Sequence, residues 1–296
     1  MLKKIVKFNG GLGNQMFQYA FACTLADKFN VEIQFDFSFF EDVKTCEDVE
    51  SRVFELGVFN VECEMATEDD LSKINRPDFK SKFKRFLAKR FPNRYGINYI
   101  REKHTFVFDK KLINRNGYLC YEGYFQNENY FKHLRGDLLR KFSLKVPFDE
   151  ENQLILDKIL ETNSVSLHIR RGDYVSLDYV NKIHGVCALD YYKRAIEYIT
   201  KRVNPPHFFL FSDDIDWVVE NLKMEHPFTV VDINKGKGWL DMNLMKQCKH
   251  NIIANSSFSW WGAWLNENPQ KIIIAPEKWT ARKQKCDIVP LGWVKL

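Results

Sequence analysis

Long apolar runs are missing from this 296-residue sequence, whose hydrophobic residues come in short stretches. A membrane span needs about 20 consecutive apolar residues, and no stretch reaches that length. The basic N-terminus, residues 1–8, runs directly into a glycine turn, so we expect no secretory signal. The seven cysteines are scattered and form neither a CxxC pair nor a metal-ligand spacing, which indicates reduced thiols in a cytoplasmic protein.

Several catalytic motifs are also absent. The sequence has no Gly-Lys-Ser/Thr phosphate loop, no His-Glu-x-x-His and no Gly-x-Ser-x-Gly elbow, so kinases, zinc hydrolases and serine hydrolases lose their main support. Gly10, Gly11 and Gly13 do not make a Gly-x-Gly-x-x-Gly string, and Ile33 and Gln34 stand where NAD would need an acidic residue. Nicotinamide binding is therefore not expected.

The charge excess is small: 44 Lys and Arg against 39 Asp and Glu leave a net charge of +5, which suits an anionic substrate without requiring nucleic acid. Charge is concentrated in residues 73–103, where eleven Lys and Arg face two acids, Asp78 and Glu102. Phenylalanines at helical spacing over 79–91 predict a basic amphipathic helix, in a helical insertion around 65–105. This helix either packs its Phe face into the fold or rests on the inner face of a membrane.

The apolar pattern predicts an α/β fold with parallel sheets. Residues 4–9 have the pattern of a buried strand, followed by a glycine turn and a helix, and residues 118–125 look like part of a hairpin. After Thr162, apolar runs at 165–169, 208–211, 229–231, 251–254 and 272–275 alternate with helical patterns. Parallel sheets bind ligands at the carboxyl ends of their strands, so the polar motifs after these runs are candidate site residues.

The first two motifs follow consecutive strands. Residues 168–174 (HIRRGDY) present Arg170 and Arg171, whose planar forks suit a diphosphate, although with Asp173 they could equally form a structural ion pair. Asp213 and Asp214 end the next strand. These carboxylates could hold a divalent cation, accept hydrogens from a guanine, or cap the following helix.

Two further motifs place small residues at helix starts. In residues 254–264 (ANSSFSWWGAW), the helix amides and the hydroxyls of Ser256 and Ser257 would suit a phosphate, and plain N-capping is the alternative. We expect its tryptophans to pack in a core. The glycine loop at 10–15 (GGLGNQ) brings several amides to a helix start, where they could approach an anion or a sugar.

Together and in this order, the four strings resemble bacterial α-1,2-fucosyltransferases of glycosyltransferase family 11, over nearly the whole chain. The resemblance implies a GT-B architecture: two Rossmann-like lobes with parallel sheets facing across a cleft. Residues 1–160 would form the acceptor-side lobe and 161–296 the GDP-fucose-binding lobe, with the last residues packing back on the first. It further implies inverting transfer of L-fucose from GDP-β-L-fucose to the 2-hydroxyl of a terminal galactose in a surface-glycan precursor, without a metal or other cofactor.

The resemblance also assigns roles to residues. Arg170 would contact the β-phosphate, His168 and Asp213 would lie at the guanosine, and Asn14 would face the fucose from the other lobe. Arg170, Asn14 and Asp173 are the expected catalytic residues, Asp173 being either the base or a partner that orients an arginine. The residues expected to bind GDP-fucose are His168, Arg170, Arg171, Asp213, Asp214, Asn255, Ser256, Ser257, Gly11 and Gly13.

Some alternatives stay open. The enzyme could use another GDP-sugar, or the basic segment could belong to a nucleic-acid-binding protein, although we expect no nucleic-acid partner. The acceptor glycan is expected to end in galactose and could be carried on a lipid, with the enzyme cytoplasmic and residues 79–91 either touching the membrane or packed in the fold.

Overall fold

The computed structural model describes residues 3–42, 52–74, 98–117, 119–172, 185–282 and 284–296. The chain divides into two compact units, Met1–Ser143 and Leu144–Leu296. Each unit has its own parallel sheet, which confirms the prediction of two α/β lobes of the GT-B kind. The basic helix predicted at 79–91 and the candidate base Asp173 lie outside the described residues, and only the ends of the insertion expected around 65–105 are described.

The described strands of the first unit form a five-stranded sheet. They are β1 (Lys4–Lys7), β2 (Ile33–Asp36), β3 (Glu64–Met65), β4 (Tyr99–Arg101) and β5 (Leu119–Glu122). They pair in parallel in the order β3-β2-β1-β5-β4. The described helices of this unit are α1 (Leu12–Phe29), α2 (Ser38–Asp42), α3 (Glu68–Ser72) and α4 (Arg135–Lys141).

The hairpin predicted at 118–125 is wrong. Strand β5 lies between β1 and β4 and runs parallel to both, with Leu119 opposite Lys4 and Cys120 opposite Tyr99. Gly117 and Gly123 bracket the strand as turn residues would bracket a hairpin strand, but its partners are distant in sequence. Pairing of this kind is set by burial in the sheet rather than by the local turn pattern.

Helix α1 packs on this sheet and contributes side chains to a core of aromatic rings. Met16, Ala20 and Leu25 are fully buried. On the same helix the ring of Phe21 stacks on that of Phe125, with the centroids 3.9 Å apart. The segment that follows β5 is therefore fixed against the helix that follows β1.

The second unit has a six-stranded described sheet. Its strands are β6 (Asn163–Ile169), β7 (Pro206–Ser212), β8 (Phe228–Val231), β9 (His250–Ile252), β10 (Ile273–Ala275) and β11 (Val294–Lys295). They pair in parallel in the order β11-β10-β9-β6-β7-β8. The described helices are α5 (Glu150–Glu161), α6 (Leu189–Thr200), α7 (Ile215–Leu222), α8 (Gly238–Gln247) and α9 (Ser257–Trp264).

All five apolar runs predicted after Thr162 coincide with strands of this sheet. Central strand β6 shows why they are continuous, because Val165 and Leu167 are buried on one face and Ser164 and Ser166 on the other. Parallel sheets covered on both faces require such runs. The tryptophans of α9 pack in the core as predicted, Trp260 and Trp261 being fully buried.

The start of the second unit differs from the sequence expectation. Helix α5 belongs to it because Ile159 packs with Phe209 and Phe211 of β7, so the units part after Ser143 and not after residue 160. At the other end of the unit, the last residues form β11 at the edge of its own sheet. In the described parts of the chain, no helix combines the length and apolar character needed to cross a bilayer.

Candidate active site

An ion pair joins the carboxyl ends of β6 and β7. Arg170 follows β6, and its Nη1 lies 2.8 Å from Asp213 Oδ2, with both side chains 24% exposed. The other oxygen of Asp213 accepts a hydrogen bond from the backbone N–H of Arg171 at 2.8 Å. Charge-assisted hydrogen bonds of this length are directional. Asp213 therefore fixes both the guanidinium of Arg170 and the backbone beside it.

Gly172 makes this arrangement sterically possible. A Cβ at this position would clash with Asp213 Oδ2. Since that oxygen is the one paired with Arg170, a side chain at residue 172 would push the carboxylate away from the arginine. The glycine is required by close approach of the chain to a carboxylate.

Arg171 is held in a second ion pair. Its Nε donates to Asp214 Oδ2 at 3.0 Å, and its guanidinium carbon lies 3.5 Å from the centroid of the Trp217 ring. Stacking on tryptophan adds a cation–π attraction to the ion pair. Asp214 occupies the N-cap position of α7 without a side-chain capping bond. The carboxylate of Asp214 therefore pairs with Arg171 and does not cap the helix.

His168, on β6, is a neutral histidine. It is 4% exposed, and its ring centroid lies 5.4 Å from that of Phe258 on α9. Burial lowers the pKa of His168 to about 3, and the nearby charge of Arg170 acts in the same direction. Its Nδ1 is buried and has no hydrogen-bond partner among the described residues. A neutral ring with an unpartnered nitrogen remains able to form one further hydrogen bond.

Asn255 and Ser256 hold the loop between β9 and α9. The side-chain amide of Asn255 donates to the carbonyls of Gly185 at 3.0 Å and Trp279 at 3.3 Å. Ser256 is the N-cap of α9, and its Oγ accepts the N–H of Phe258 at 3.3 Å. N-capping, the structural alternative for this motif, is therefore present. Ser257 begins the helix and is partly exposed.

Side chains from other parts of the first unit form hydrogen bonds to its glycine motif. The N–H of Leu12, which opens α1, donates to Glu55 Oε2 at 3.0 Å. Asn14 Oδ1 accepts from Gln126 Nε2 at 2.6 Å. Gly10 has a φ of 74°, the left-handed conformation that favours glycine, and a Cβ there would clash with the Asn14 amide. The turn thus brings the Asn14 side chain back over the end of β1.

Three polar residues at this edge were not recognised from the sequence. Gln126 positions Asn14, and Glu55 takes up the first amide of α1. Burial raises the pKa of Glu55 above its ordinary value. Glu102, seen in the sequence only as one of two acids in a basic segment, accepts the backbone N–H groups of Tyr124 and Phe125. None of these contacts leaves a spacing signal, because each joins segments that are far apart in the chain.

The expected site residues gather at the carboxyl edges of the two sheets. In the second unit, Arg170 and Asp213 follow β6 and β7, which pair directly, and Ser257 follows β9 on the other side of β6. In the first unit, Gly11, Gly13 and Asn14 follow β1. The described residues contain no cluster of three His, Cys, Asp or Glu side chains placed to hold a metal ion.

Comparison with known proteins identifies similar chains. The model of glycosyl transferase family 11 matches residues 2–296. The O-antigen biosynthesis glycosyltransferase WbnK of Escherichia coli is 36% identical, over 97% of this chain and 98% of that protein. The alpha-1,2-colitosyltransferase of Escherichia coli is 35% identical, over 99% of this chain and 98% of that protein.

One solved structure agrees with the fold. An arginine-to-lysine mutant of Arabidopsis thaliana FUT1 in complex with GDP superimposes with a TM-score of 0.50. The match covers 96% of this chain and 73% of that one, at 11% identity. A likeness at this identity supports the architecture of the two α/β units and nothing finer.

Proposed function

The chain belongs to glycosyl transferase family 11, and from that premise we propose that it moves L-fucose from GDP-β-L-fucose to the 2-hydroxyl of a terminal galactose. The product would be an α-1,2 linkage formed with inversion, in the precursor of a surface glycan. The observation that carries this proposal is the full-length match to two bacterial sugar transferases, one of them named for an α-1,2 linkage and the other for O-antigen biosynthesis.

Arg170 is proposed to stabilise the departing GDP. When the bond between the sugar and the β-phosphate breaks, negative charge develops on the phosphate, and preorganised donors lower the energy of that state. The partly exposed guanidinium at the end of β6 is already oriented by Asp213. No reorganisation of the arginine is then needed when the charge appears.

The other second-unit residues are proposed to complete the donor site. A neutral His168 with an unpartnered Nδ1 is suited to a hydrogen bond with guanosine. Ser257 and the amides at the start of α9 suit a phosphate, whereas Asn255 and Ser256 support the loop. Arg171 and Asp214, which bind each other, would shape the site rather than contact the phosphates.

The first unit is proposed to receive the acceptor and the fucose. Gly11 and Gly13 bring the backbone close to the sugar, and Gln126 holds the Asn14 amide in place to meet it. Asp173 stays a candidate to orient an arginine or accept a proton. Contact of residues 79–91 with a membrane, and an acceptor carried on a lipid, are also proposals, supported by the basic composition of that segment.

Colitosyl transfer is the second candidate function. It is favoured by the 35% full-length similarity to the alpha-1,2-colitosyltransferase. Colitose is L-fucose without its 3-hydroxyl, so the two donors share GDP and differ by one hydrogen-bonding group. A site that binds the 3-hydroxyl would discriminate strongly against colitose, whereas a site without such a contact would accept both.

A transfer assay tests the proposed function. The purified protein is given GDP-fucose or GDP-colitose with lactose or N-acetyllactosamine, in EDTA, and products are weighed by mass spectrometry. We expect addition of one deoxyhexose, and no product from Arg170→Ala. Product only with GDP-colitose would select the second candidate, and product only after magnesium is added would reject metal independence. A protein that binds no GDP would contradict both candidates.

A further inference from the structure

Glu102 lies at the carboxyl edge of the first unit's sheet, immediately after β4. Its backbone N–H donates to Glu122 O at 2.8 Å, which continues the pairing of β4 with β5. The side chain turns over the segment that follows β5. A Cβ at Gly123 would lie 2.8 Å from Glu102 Oε2, so the carboxylate occupies space that glycine leaves open.

One oxygen of this carboxylate is firmly held. Glu102 Oε2 accepts the backbone N–H of Tyr124 at 2.8 Å and that of Phe125 at 3.0 Å. Phe125 has a φ of 54°, which is unusual for a residue with a bulky side chain. Its ring is stacked on Phe21, so packing keeps the turn in this conformation. The carboxylate therefore has a fixed position and orientation.

The other oxygen has no partner. Glu102 Oε1 is buried and makes no hydrogen bond to any described residue. An unsatisfied buried acceptor is destabilising. The two backbone N–H groups of the turn need only the first oxygen as their acceptor. The second oxygen can therefore accept a hydrogen bond from a group that the described residues do not supply.

The turn that holds Glu102 is bonded to the glycine motif. Gln18 Nε2 donates both to Gly123 O and to Asn9 Oδ1, each at 3.0 Å. Gln126, at the far end of the turn, donates to Asn14. Hydrogen bonds therefore connect the turn to the end of β1 and to the first turn of α1. A sugar that approaches the glycine motif approaches the Glu102 turn as well.

Glycosyl transfer by direct displacement needs a proton acceptor beside the attacking hydroxyl. The acceptor oxygen forms a bond to the anomeric carbon, the bond from that carbon to the β-phosphate oxygen breaks, and its electron pair leaves with GDP. The hydroxyl proton must go to a base. Resting on the proposed function, we propose that Glu102 is the general base, its Oε1 taking the proton from the attacking sugar hydroxyl and later releasing it to water.

The acid–base state of Glu102 agrees with this role. Burial raises its pKa to about 7, and the two backbone N–H groups act in the opposite direction. The charged and titratable groups around it are Arg101 and Glu122 on the paired strands, Tyr124 on the turn and Tyr130 beyond it. A base whose pKa lies near the working pH is efficient in proton transfer.

Two matched variants test the assignment, each measured for transfer over a range of GDP-fucose concentrations from pH 5 to 9. Glu102→Gln keeps an oxygen for the two N–H groups but cannot take a proton. Glu55→Gln alters another carboxylate of this edge, which also accepts a backbone N–H and also has a raised pKa. Glu102→Gln should lower kcat about 100-fold or more with the KM for GDP-fucose within twofold, and should remove the fall in kcat below pH 7. Glu55→Gln should keep that fall.

Other outcomes overturn the proposal. An acidic limb that persists in Glu102→Gln, or that disappears in Glu55→Gln, places the base elsewhere while the transferase function stands. If Glu102→Gln does not fold, Glu102→Asp replaces it, and its acidic limb must move to a different pH because the titrating carboxylate has moved; an unmoved limb places the base elsewhere. A wild-type protein that transfers neither fucose nor colitose ends the proposed function, and the role of Glu102 with it.

Discussion

At the carboxyl edge of the second unit's sheet, two arginines paired with aspartates lie beside a neutral histidine. At the same edge of the first unit's sheet, the carboxylates Glu55 and Glu102 accept backbone N–H groups, and the cations that end the strands are each paired with an acid. Departure of a nucleoside diphosphate needs positive charge, whereas attack by a hydroxyl needs a proton acceptor. Under the proposed function, the edge with the two arginines would stabilise the departing GDP, and the edge with Glu102 would accept the proton.

Arg170 is the largest single test of this contrast. Arg170→Ala should lower kcat/KM by 100-fold or more, or about 3 kcal/mol, because the donor for the departing phosphate is removed. Arg170→Lys should be nearly as damaging, since a point charge lacks the planar fork. Steady-state transfer kinetics provide the measurement. Arg194→Ala, which removes an exposed arginine paired with Asp190 on α6, is the control and should match wild type. Near-normal turnover of Arg170→Lys would show that a two-pronged contact between Arg170 and the phosphate is not needed.

The two edges should respond to pH in opposite directions. The pKa of His168 is lowered from 6.5 to about 3, so the folded protein loses stability as pH falls below 6.5. This amounts to about 2 kcal/mol between pH 8 and pH 5. The pKa of Glu102 is raised to about 7 from 4.5, so its contribution is present below pH 4.5 and is lost as pH rises to 7.

Thermal unfolding at pH 5 and pH 8 measures both contributions. His168→Gln should bring the apparent Tm at pH 5 closer to that at pH 8, and Glu102→Gln should raise the Tm at pH 8 relative to pH 5. If both variants shift the pH dependence of the Tm in the same direction, the two edges do not respond to pH in opposite ways.

Two glycines allow a steric test of the same contrast. Gly172→Ala should displace Asp213 from Arg170 and weaken GDP binding about tenfold, or about 1.4 kcal/mol. Gly123→Ala should displace Glu102, lower kcat and leave GDP affinity unchanged. Gly57→Ala is a matched control, because a Cβ there meets nothing within 4 Å. Calorimetric titration with GDP gives the affinities, and weakened binding in Gly123→Ala would show that the units do not divide the work in this way.

The smallest expected effect separates capping from binding. Ser256 and Thr67 are both N-caps whose side chains accept a backbone N–H. Each change to alanine should cost about 1 kcal/mol of stability, measured by urea unfolding. Only Ser256→Ala, at the proposed donor site, should also raise the KM for GDP-fucose. Equal KM values in the two variants would leave Ser256 as a helix cap alone.

The strands of the second unit could be predicted because each buried strand is a continuous apolar run followed at once by its polar motif. Arg170 and Asp213 were visible for this reason. In the first unit, β1 and α1 were predicted, but β5 was not, because it pairs with strands far away in sequence and its flanking glycines imitate a hairpin. Glu102, Glu55 and Gln126 became recognisable only after the fold placed their backbone partners beside them. The boundary predicted after residue 160 was too late in the sequence, because the helix Glu150–Glu161 packs on the sheet that follows it.

Asn255 has a consequence for producing the protein. With Ser256 and Ser257 it matches the Asn-x-Ser/Thr pattern that receives N-linked glycans in a secretory pathway. Its amide is 3% exposed and donates to Gly185 O and Trp279 O. A glycan attached to that nitrogen before folding would prevent the loop from closing. Expression through a eukaryotic secretory route should therefore require Asn255 to stay unmodified, whereas bacterial expression without N-glycosylation imposes no such condition.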